Sequence, residues 1–151
     1  MTIKIDDRAI KSYIRGLKNI ITADMLDTIG RTVQTRVVRT FLNETDPYGQ
    51  RWQPLKRPRR RQGRASRTDK VLSDTDTLRR SINYVINVAQ KNVRIGAGMT
   101  YVRHQHGTLR RNLVARRFMP IINNTAALPA SWQRAIQQAA ERSLKNKVIP
   151  K

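Results

Sequence analysis

One stripe of apolar residues limits the folds open to this chain more than any other feature of its sequence. Its members recur at every fourth position and are Met25, Ile29, Val33, Val37 and Phe41. An α-helix turns once in about 3.6 residues, so this spacing places all five side chains along one helical face. Such a helix gains most of its stability by burying that face against other elements. The pattern predicts a long amphipathic helix that begins near Asp24 and contributes to the core.

Other residues of this helix include arginines that lie off the apolar stripe, apolar residues beside it, and one glycine. Arg31, Arg36 and Arg39 fall off the stripe, so we expect them to meet solvent or a partner. The apolar residues beside the stripe are Leu26, Val38 and Leu42. Gly30 either weakens this helix by about 1 kcal/mol relative to Ala or marks a place of close packing.

Two further helices are predicted, one on each side of this helix in the sequence. The earlier helix carries Ile10, Tyr13, Ile14, Leu17 and Ile21 at helical spacing. The later helix opens near Pro129 and Ser131, residue types that favour the start of a helix. Its length would be about 24 Å at 1.5 Å per residue. Its predicted inner face consists of Trp132, Ala135, Ile136, Ala139, Ala140, Ser143 and Leu144.

Alternating apolar and polar residues predict short strands elsewhere. Residues 2–5 alternate in this way, and residues 118–122 are interpreted as another strand. Residues 83–88 would place Tyr84, Ile86 and Val88 on one face, and a second strand would place Val93 and Ile95 on one face. A hairpin turn at residues 90–92 would join the two strands, although it lacks the glycine that such turns favour.

Local signals mark the ends of these elements. Gly96 and Gly98 are expected to end the second strand of the hairpin. Before the hairpin, Asp74 or Thr75 can cap a short helix over residues 76–80, because their side chains can accept hydrogen bonds from its first main-chain N–H groups.

Together these patterns predict an α+β fold. Two N-terminal helices and a C-terminal helix would pack on a small antiparallel sheet, with a long basic loop at about residues 44–71. The chain length of 151 residues suits a single domain spanning residues 1–151.

The charge balance is extreme, with 31 Lys and Arg against 10 Asp and Glu and a formal net charge of +21. Such a chain attracts polyanions, which include nucleic acid, acidic membrane surfaces and acidic proteins. The sequence has no cysteine, which excludes disulfides and thiolate metal sites. It shows neither a signal peptide nor an apolar run of about 20 residues, so we expect no membrane partner.

The predicted loop concentrates this charge. Prolines and glycines at Pro47, Gly49, Pro54, Pro58 and Gly63 argue against regular structure. Its basic residues with a candidate binding role are Arg57, Arg59, Arg60, Arg61, Arg64 and Arg67. These arginines could face the backbone of DNA, be ordered by acidic protein neighbours, or belong to a solvated flexible loop. No aromatic residue lies among them to stack on bases, and no sequence-reading motif is visible.

Residues suited to catalysis are few. His104 and His106 are the two histidines, and without cysteine or clustered carboxylates they do not favour a zinc site. His104 with Arg103 and Tyr101 could form the acid–base set of a small basic ribonuclease, and that alternative stays open. We expect no catalytic residues, no cofactor and no metal, and therefore no enzyme.

Three segments of the sequence carry recognisable motifs. The first segment follows the long helix and is similar to the pattern F…D-P-x-G-x-x-W-x-P-L. Its matching residues after Phe41 are Asp46, Pro47, Gly49, Trp52, Pro54 and Leu55. Read physically, Asp46, Pro47 and Gly49 favour a tight turn, after which Trp52 and Leu55 would attach the returning chain to the core.

The second and third segments follow further along the chain. Residues 72–82 resemble L-x-D-T-G-x-L-x-x-S-I, with Leu78 in place and Asp76 where glycine is usual. The third segment resembles Y-A-x-x-H-Q-x-G followed by P-A-R-P-F-L-P. Its matching residues are Tyr101, His104, Gln105, Gly107, Arg116, Phe118 and Pro120. Arg117 replaces a usual proline and Met119 a usual leucine.

In this order and spacing, the three segments together resemble the phage virion morphogenesis family. The resemblance implies a structural virion protein that acts in tail completion and head–tail joining. Members of the family would form a ring, in this case a hexamer, at the head-proximal end of the tail or in the neck. The implied partners are other copies of the chain, tail tube or sheath proteins, neck or connector proteins, and genomic DNA in passage. The implied location is the virion, and the host cytoplasm during assembly. The alternative is a basic nucleic-acid-binding protein, which the net charge alone would equally favour.

Overall fold

The predicted α+β class is confirmed by a computed structural model of the chain. The structure describes residues 2–4, 21–55, 60–61, 64–65, 71–72, 76–100, 102, 115–122 and 125–148. The first of the two predicted N-terminal helices, at residues 10–21, lies almost entirely outside these ranges.

The described helices and strands are numbered here in chain order. The helices are α1 (Ala23–Asn43), α2 (Thr77–Arg80) and α3 (Ala130–Val148). The strands are β1 (Thr2–Lys4), β2 (Arg60–Arg61), β3 (Arg64–Ala65), β4 (Ile82–Asn87), β5 (Asn92–Ala97), β6 (Ile121–Ile122) and β7 (Thr125–Ala126).

The principal sheet has three antiparallel strands in the order β1-β5-β4. In its register Ile82 pairs with Ala97, Tyr84 with Ile95, and Ile86 with Val93. Because side chains alternate along a strand, these six residues share one face. Most of them are buried, whereas Val85 on the opposite face is exposed. The sheet is therefore one-sided in the described part of the chain.

Helix α1 forms where the apolar stripe predicts it, and its ends have clear causes. The hydroxyl of Thr22 accepts a hydrogen bond from the main-chain N–H of Met25 (3.3 Å), which satisfies one of the first unpaired donors. Glu44 ends the helix in the left-handed conformation, with φ of +53°. All five residues of the predicted stripe are buried.

Helix α1 is the central element of the core. It packs against α3 on one side and against β4 and β5 on the other. From α3 the buried residues are Trp132, Ala135, Ile136, Ala139 and Ala140, as the predicted inner face requires. Ser143 and Leu144 of that face are half-buried.

Gly30 lies where α1 packs directly against Tyr84 of β4. A Cβ atom added at Gly30 would overlap the ring of Tyr84 on β4. The hydroxyl of Tyr84 donates to Asp27 Oδ1 (2.6 Å), and Asp27 Oδ2 accepts from Arg31 (2.7 Å). Of the two alternatives for Gly30, close packing is present, and a hydrogen bond one turn away fixes the same ring.

Side chains close part of the outer edge of β4. The N–H of Gly98 donates to the carbonyl of Ser81 (3.3 Å), so the alternating antiparallel pattern turns the main-chain groups of residues 82, 84 and 86 away from β5. Gln34 donates to the carbonyl of Ile82 (2.8 Å), and the side chain of Asn83 accepts from the N–H of Tyr84 (2.8 Å). Two of the outward-facing groups are thereby satisfied, which disfavours pairing with a further strand.

Several sequence expectations are wrong in detail. Val88 is exposed, because β4 ends at Asn87. Gly96 lies within β5, where it pairs with Asn83 and Thr2, and the strand continues to Ala97. The turn spans residues 88–91, and Lys91 with φ of +49° takes the place of a glycine.

Two further boundaries also differ from the expectation. Residues 118–120 are not in a strand; β6 covers only Ile121–Ile122, since Pro120 cannot donate to a ladder. The short helix is preceded by Asp76, whose side chain makes no cap hydrogen bond and instead pairs with Arg79 (2.9 Å).

The region of residues 44–71 is not wholly irregular. Its described part contains a tight turn closed by a bridge between Thr45 and Arg51. It also contains the antiparallel pair β2 and β3, in which Arg60 pairs with Ala65 and Arg61 with Arg64.

Candidate assembly surface

The segment of residues 44–55, here called the motif loop, folds around the side chain of Asp46. Asp46 Oδ1 accepts from the main-chain N–H of Tyr48 (2.9 Å) and of Gln50 (2.8 Å). The main chain of Asp46 bonds to Gln50 (2.7 Å) and Gly49 (3.1 Å). Gly49 has φ of +91°, a conformation that other residues rarely adopt. One carboxylate thus organises a whole turn, in the manner of an Asx turn.

Glu44 fastens the start of the motif loop to its end. The carbonyl of Glu44 accepts from the N–H of Trp52 (2.7 Å), so the chain returns to the end of α1. The carboxylate of Glu44 accepts from the N–H of Val71 (2.7 Å), which lies beyond the basic segment. A single residue therefore joins the helix, the motif loop and the chain that follows.

Three aromatic rings anchor the motif loop to the core. Phe41 makes an edge-on contact with Trp52 (centroids 5.5 Å apart, 85° between planes) and a tilted contact with Phe118 (5.0 Å). Trp52 is buried, and its indole N–H donates to the carbonyl of Arg117 (2.9 Å). Buried tryptophan needs such a partner for its N–H. The motif loop and the segment of residues 115–122 are thus held as one unit.

Further hydrogen bonds connect this unit to its neighbours. The guanidinium of Arg116 donates twice to the carbonyl of Gln53 (3.3 and 3.2 Å). The hydroxyl of Tyr48 donates to the carbonyl of Ala127 (2.6 Å) just before α3. Partial burial, reinforced by the negative charge of Asp46, raises the pKa of Tyr48 above its usual range. Tyr48 therefore keeps its proton and its hydrogen bond at neutral pH.

The outer side of this unit is a shallow depression of about 430 Å³. Its lining residues are Asp46, Gln50, Arg51, Trp52, Gln53, Ala115 and Arg117. Gln50, Arg51, Gln53, Ala115 and Arg117 are exposed, while the ring of Trp52 is buried beneath them. Tyr48 lies on the motif loop as well and is 40% exposed. The surface offers a fixed shape with mixed polarity to whatever contacts it.

Nine of the predicted motif residues meet in this unit. They are Asp46, Pro47, Gly49, Trp52, Pro54, Leu55, Arg116, Phe118 and Pro120. Phe118 and Pro120 are fully buried, and Pro47 is buried within the turn. Leu78 lies apart from them on α2, where it is buried in the same core cluster.

Other predicted residues cannot be placed. Tyr101, His104, Gln105 and Gly107 lie outside the described residues, as do Arg57, Arg59 and Arg67. Arg60, Arg61 and Arg64 are described only as members of β2 and β3. The candidate roles of all these residues stay predictions.

Sequence reasoning did not single out Glu44, and it noted Asp76 only as a departure from the glycine of the family pattern. Both adopt positive φ, +53° and +55° respectively, which costs a residue other than glycine some strain. At Asp76 a signal existed, since the family pattern has glycine there. The conformation of Asp76 is the one that glycine adopts most easily, and this explains the family preference physically.

The described residues show no arrangement suited to metal binding. No group of three or more potential metal-ligating side chains occurs among them. No helix in the same part of the chain is long and apolar enough to cross a bilayer.

Comparison with characterised proteins and with solved structures finds no match. The model of the phage virion morphogenesis family, in contrast, matches residues 5–144. That match covers nearly the whole of the 151-residue chain and all three segments that carry the resemblance. The chain therefore belongs to the phage virion morphogenesis family, whose proteins serve the assembly of the virion.

Proposed function

We propose that this protein completes the phage tail and joins it to the head, as a ring subunit without a catalytic role. The ring, a hexamer, would sit at the head-proximal end of the tail or in the neck. Its partners would be further copies of itself, tail tube or sheath proteins, and neck or connector proteins. The observation that carries the proposal is the motif loop, in which family residues build a rigid exposed surface.

That use of the motif residues favours assembly over catalysis. Asp46 accepts two main-chain hydrogen bonds, and Trp52 and Phe118 are buried in a ring cluster. These side chains define the position of a surface, which lowers the entropic cost of docking. A ring needs two different complementary faces on each subunit. The depression beside the motif loop is our candidate for one of those faces.

Oligomeric state and particle assembly test the proposal directly. We expect the purified chain to form a closed ring, or to do so on tail tubes or connectors, with light scattering and electron microscopy as readouts. A phage that lacks this protein should make unjoined heads and tails that the wild-type chain rescues. A chain that stays strictly monomeric and never associates with tails or connectors would contradict the proposal.

Charge reversal on the depression tests its role as a ring face. The double variant Arg51→Glu with Arg117→Glu should fold normally, because both side chains are exposed, yet lose ring formation. Arg94→Glu, also exposed but on the open face of the sheet, serves as a control. An unchanged yield of rings and infectious particles from the double variant would show that the depression is not a ring contact.

The net charge of +21 favours one other candidate, a nucleic-acid-binding protein. Its affinity for duplex DNA would fall steeply with salt, by about 0.9 in log–log slope for each phosphate contact. Charge reversal across Arg59, Arg60 and Arg61 should then abolish DNA binding. If the same variant binds DNA as the wild type does but blocks joining, the basic segment serves protein assembly.

A further inference from the structure

A second surface lies on the other side of α1, away from the motif loop. An open groove of about 840 Å³ follows the polar face of α1 and is bordered by α3. It runs from Ala23 to Arg39 along α1, which is about 24 Å at 1.5 Å per residue. Ala135, Gln138 and Arg142 contribute from α3, and Ile86 from β4. We call it the α1–α3 groove.

Short side chains form much of the lining of the α1–α3 groove. The hydroxyls of Thr28, Thr32 and Thr35 each donate to the main-chain carbonyl four residues earlier, at 2.8, 2.7 and 2.9 Å. Their hydrogens are therefore used within the helix. The outward parts of these residues are methyl groups and hydroxyl lone pairs, and Ile86 and Ala135 add apolar surface. A partner could approach this lining closely without burying an unsatisfied donor.

The charges on the α1–α3 groove are unevenly arranged. At its beginning, Asp24 and Asp27 are acidic, and Asp27 binds Arg31 (2.7 Å). The hydrogen bond from Tyr84 and the bond from Arg31 hold the pKa of Asp27 below its usual range. Toward its end, the lining residues are the cations Arg36, Arg39 and Arg142. Among the described residues, no carboxylate lies within ion-pair distance of these three.

We propose that the α1–α3 groove docks an acidic segment of a neighbouring virion protein. The partner would place its carboxylates against Arg36, Arg39 and Arg142, and short apolar side chains against the threonine methyls and Ile86. A cation of the partner would meet Asp24 and Asp27 at the other end. This inference rests on the proposed role in virion assembly and assigns one partner chemistry to a surface that no family motif residue lines.

Duplex DNA fits this groove less well than an acidic protein segment does. A phosphate backbone carries negative charge at every step, so it would bring like charge onto Asp24 and Asp27. It also has no apolar side chains to cover Ile86 and Ala135. The mixed sign and partly apolar lining of the groove favour a peptide, whose sequence can alternate in the same way.

The test uses the full chain and a defined probe, a labelled helix-forming peptide of about 16 residues, the length that spans the groove. The peptide carries Glu at every fourth position and Lys at one end, and a matched peptide carries Gln in place of Glu. Fluorescence anisotropy measures binding to the wild type and to the double variant Arg36→Gln with Arg39→Gln. The double variant Arg80→Gln with Arg134→Gln removes the same charge from exposed sites outside the groove and serves as the control.

We expect the Glu peptide to bind the wild type and the control variant alike, and the groove variant about tenfold more weakly. The Gln peptide should bind none of them. Equal loss in both variants would mean that only the net charge matters and would overturn the inference. Displacement of the peptide by a short DNA duplex, with loss of DNA binding in the groove variant alone, would overturn it in favour of nucleic acid.

The outcome is separable from that of the proposed function. If the chain forms rings and restores infectivity while the groove variant binds the peptide as well as the control, the inference fails alone. If the groove binds the Glu peptide selectively but the chain never assembles with tails or connectors, the role in tail completion fails.

Discussion

The motif loop and the α1–α3 groove are surfaces of similar polarity that are built in different ways. In the motif loop, the side chains of Asp46, Glu44 and Trp52 form hydrogen bonds to the main chain. In the groove, the threonines bond only within α1, and Arg36 and Arg39 extend from its surface. The first surface is defined by its shape and the second by its charge.

The comparison explains where the family motifs occur. Turns with positive φ and buried rings need particular residues, so a shape-defining loop leaves a recognisable sequence pattern. A charged helix face needs only a cation at suitable spacing, so it leaves none. Substitutions in the motif loop should therefore cost stability, whereas substitutions of the groove cations should change binding and leave the fold intact.

The largest effect is expected for Trp52→Ala. This change removes a buried ring, its contact with Phe41 and its hydrogen bond to Arg117, and should lower the free energy of unfolding by about 3–5 kcal/mol. Chemical denaturation measures it. A loss under about 1 kcal/mol, the range of an exposed site, would show that the motif loop is not attached to the core as described.

Gly30→Ala is expected to have the next largest effect on the free energy of unfolding. The new methyl group would overlap the ring of Tyr84, and such overpacking costs about 1–3 kcal/mol. In a Tyr84→Ala background the overlap is gone, and the same change should instead stabilise α1 by about 1 kcal/mol. A double-mutant cycle measures the reversal of sign. The same sign in both backgrounds would contradict the packing of α1 on β4.

Asp46→Ala should destabilise the motif loop by about 1–2 kcal/mol. The change removes the acceptor for the N–H groups of Tyr48 and Gln50, a loss comparable to that of a helix N-cap. Asp46→Asn keeps an acceptor oxygen and serves as the control, with most of the stability retained. If Asn behaves like Ala, the turn depends on the charge rather than on the hydrogen bonds.

A smaller, pH-dependent effect is expected at Asp27, where the groove meets the sheet. The pKa of Asp27 is lowered by Tyr84 and Arg31 in the folded state. Its stabilising contribution is therefore complete above the ordinary carboxyl pKa of about 4. It is lost as the pH falls through the lower, folded value. Thermal melting should separate wild type from Asp27→Asn at pH 7, and the two curves should approach each other in acid. A gap that widens in acid would contradict this assignment.

Tyr84 determines how the stability contributed by the same hydrogen bond changes at alkaline pH. Its hydrogen bond to Asp27 raises its pKa above the usual range. The stability that this hydrogen bond contributes is therefore fully present below the ordinary pKa of tyrosine. It is lost only as the pH rises through the higher pKa of Tyr84 in the folded state. Between these limits the Tyr84–Asp27 bond should be insensitive to pH.

The smallest effect on stability is expected for the groove cations. Arg36→Gln with Arg39→Gln should change the free energy of unfolding by less than about 0.5 kcal/mol, since the ion pairs between described residues involve Arg31 and Arg79 instead. Denaturation of the purified variants measures it. A loss above about 1 kcal/mol would remove the distinction between a shape-defining loop and a charge-defining groove.

The elements that sequence predicted best were those with a strong local period. The α1 stripe and the inner face of α3 were correct because helical spacing and burial coincide there. Boundaries were less accurate where one residue acts through the main chain. The strand predicted at residues 118–122 begins only after Pro120, and Lys91 replaces glycine in the turn. Neither consequence can be read from periodicity.

At the candidate surface, the turn around Asp46 and the burial of Trp52 were predictable from residue type. The partner of Trp52 was not, because the carbonyl of Arg117 lies 65 residues along the chain. The same holds for the bond between Tyr48 and Ala127, which are separated by 79 residues. The α1–α3 groove was also missed, since its cations come from helices that only folding brings together.

The sequence by itself determined the α+β class, the apolar faces of α1 and α3, the charge of +21 and membership in the family. These follow from composition and from patterns that repeat over a few residues. Only the tertiary structure decided that Gly30 receives the ring of Tyr84, that Glu44 and Asp76 adopt positive φ, and that two helices border one groove. The physical reason is that packing and long-range hydrogen bonds depend on residues far apart in the chain, whose positions no local period specifies.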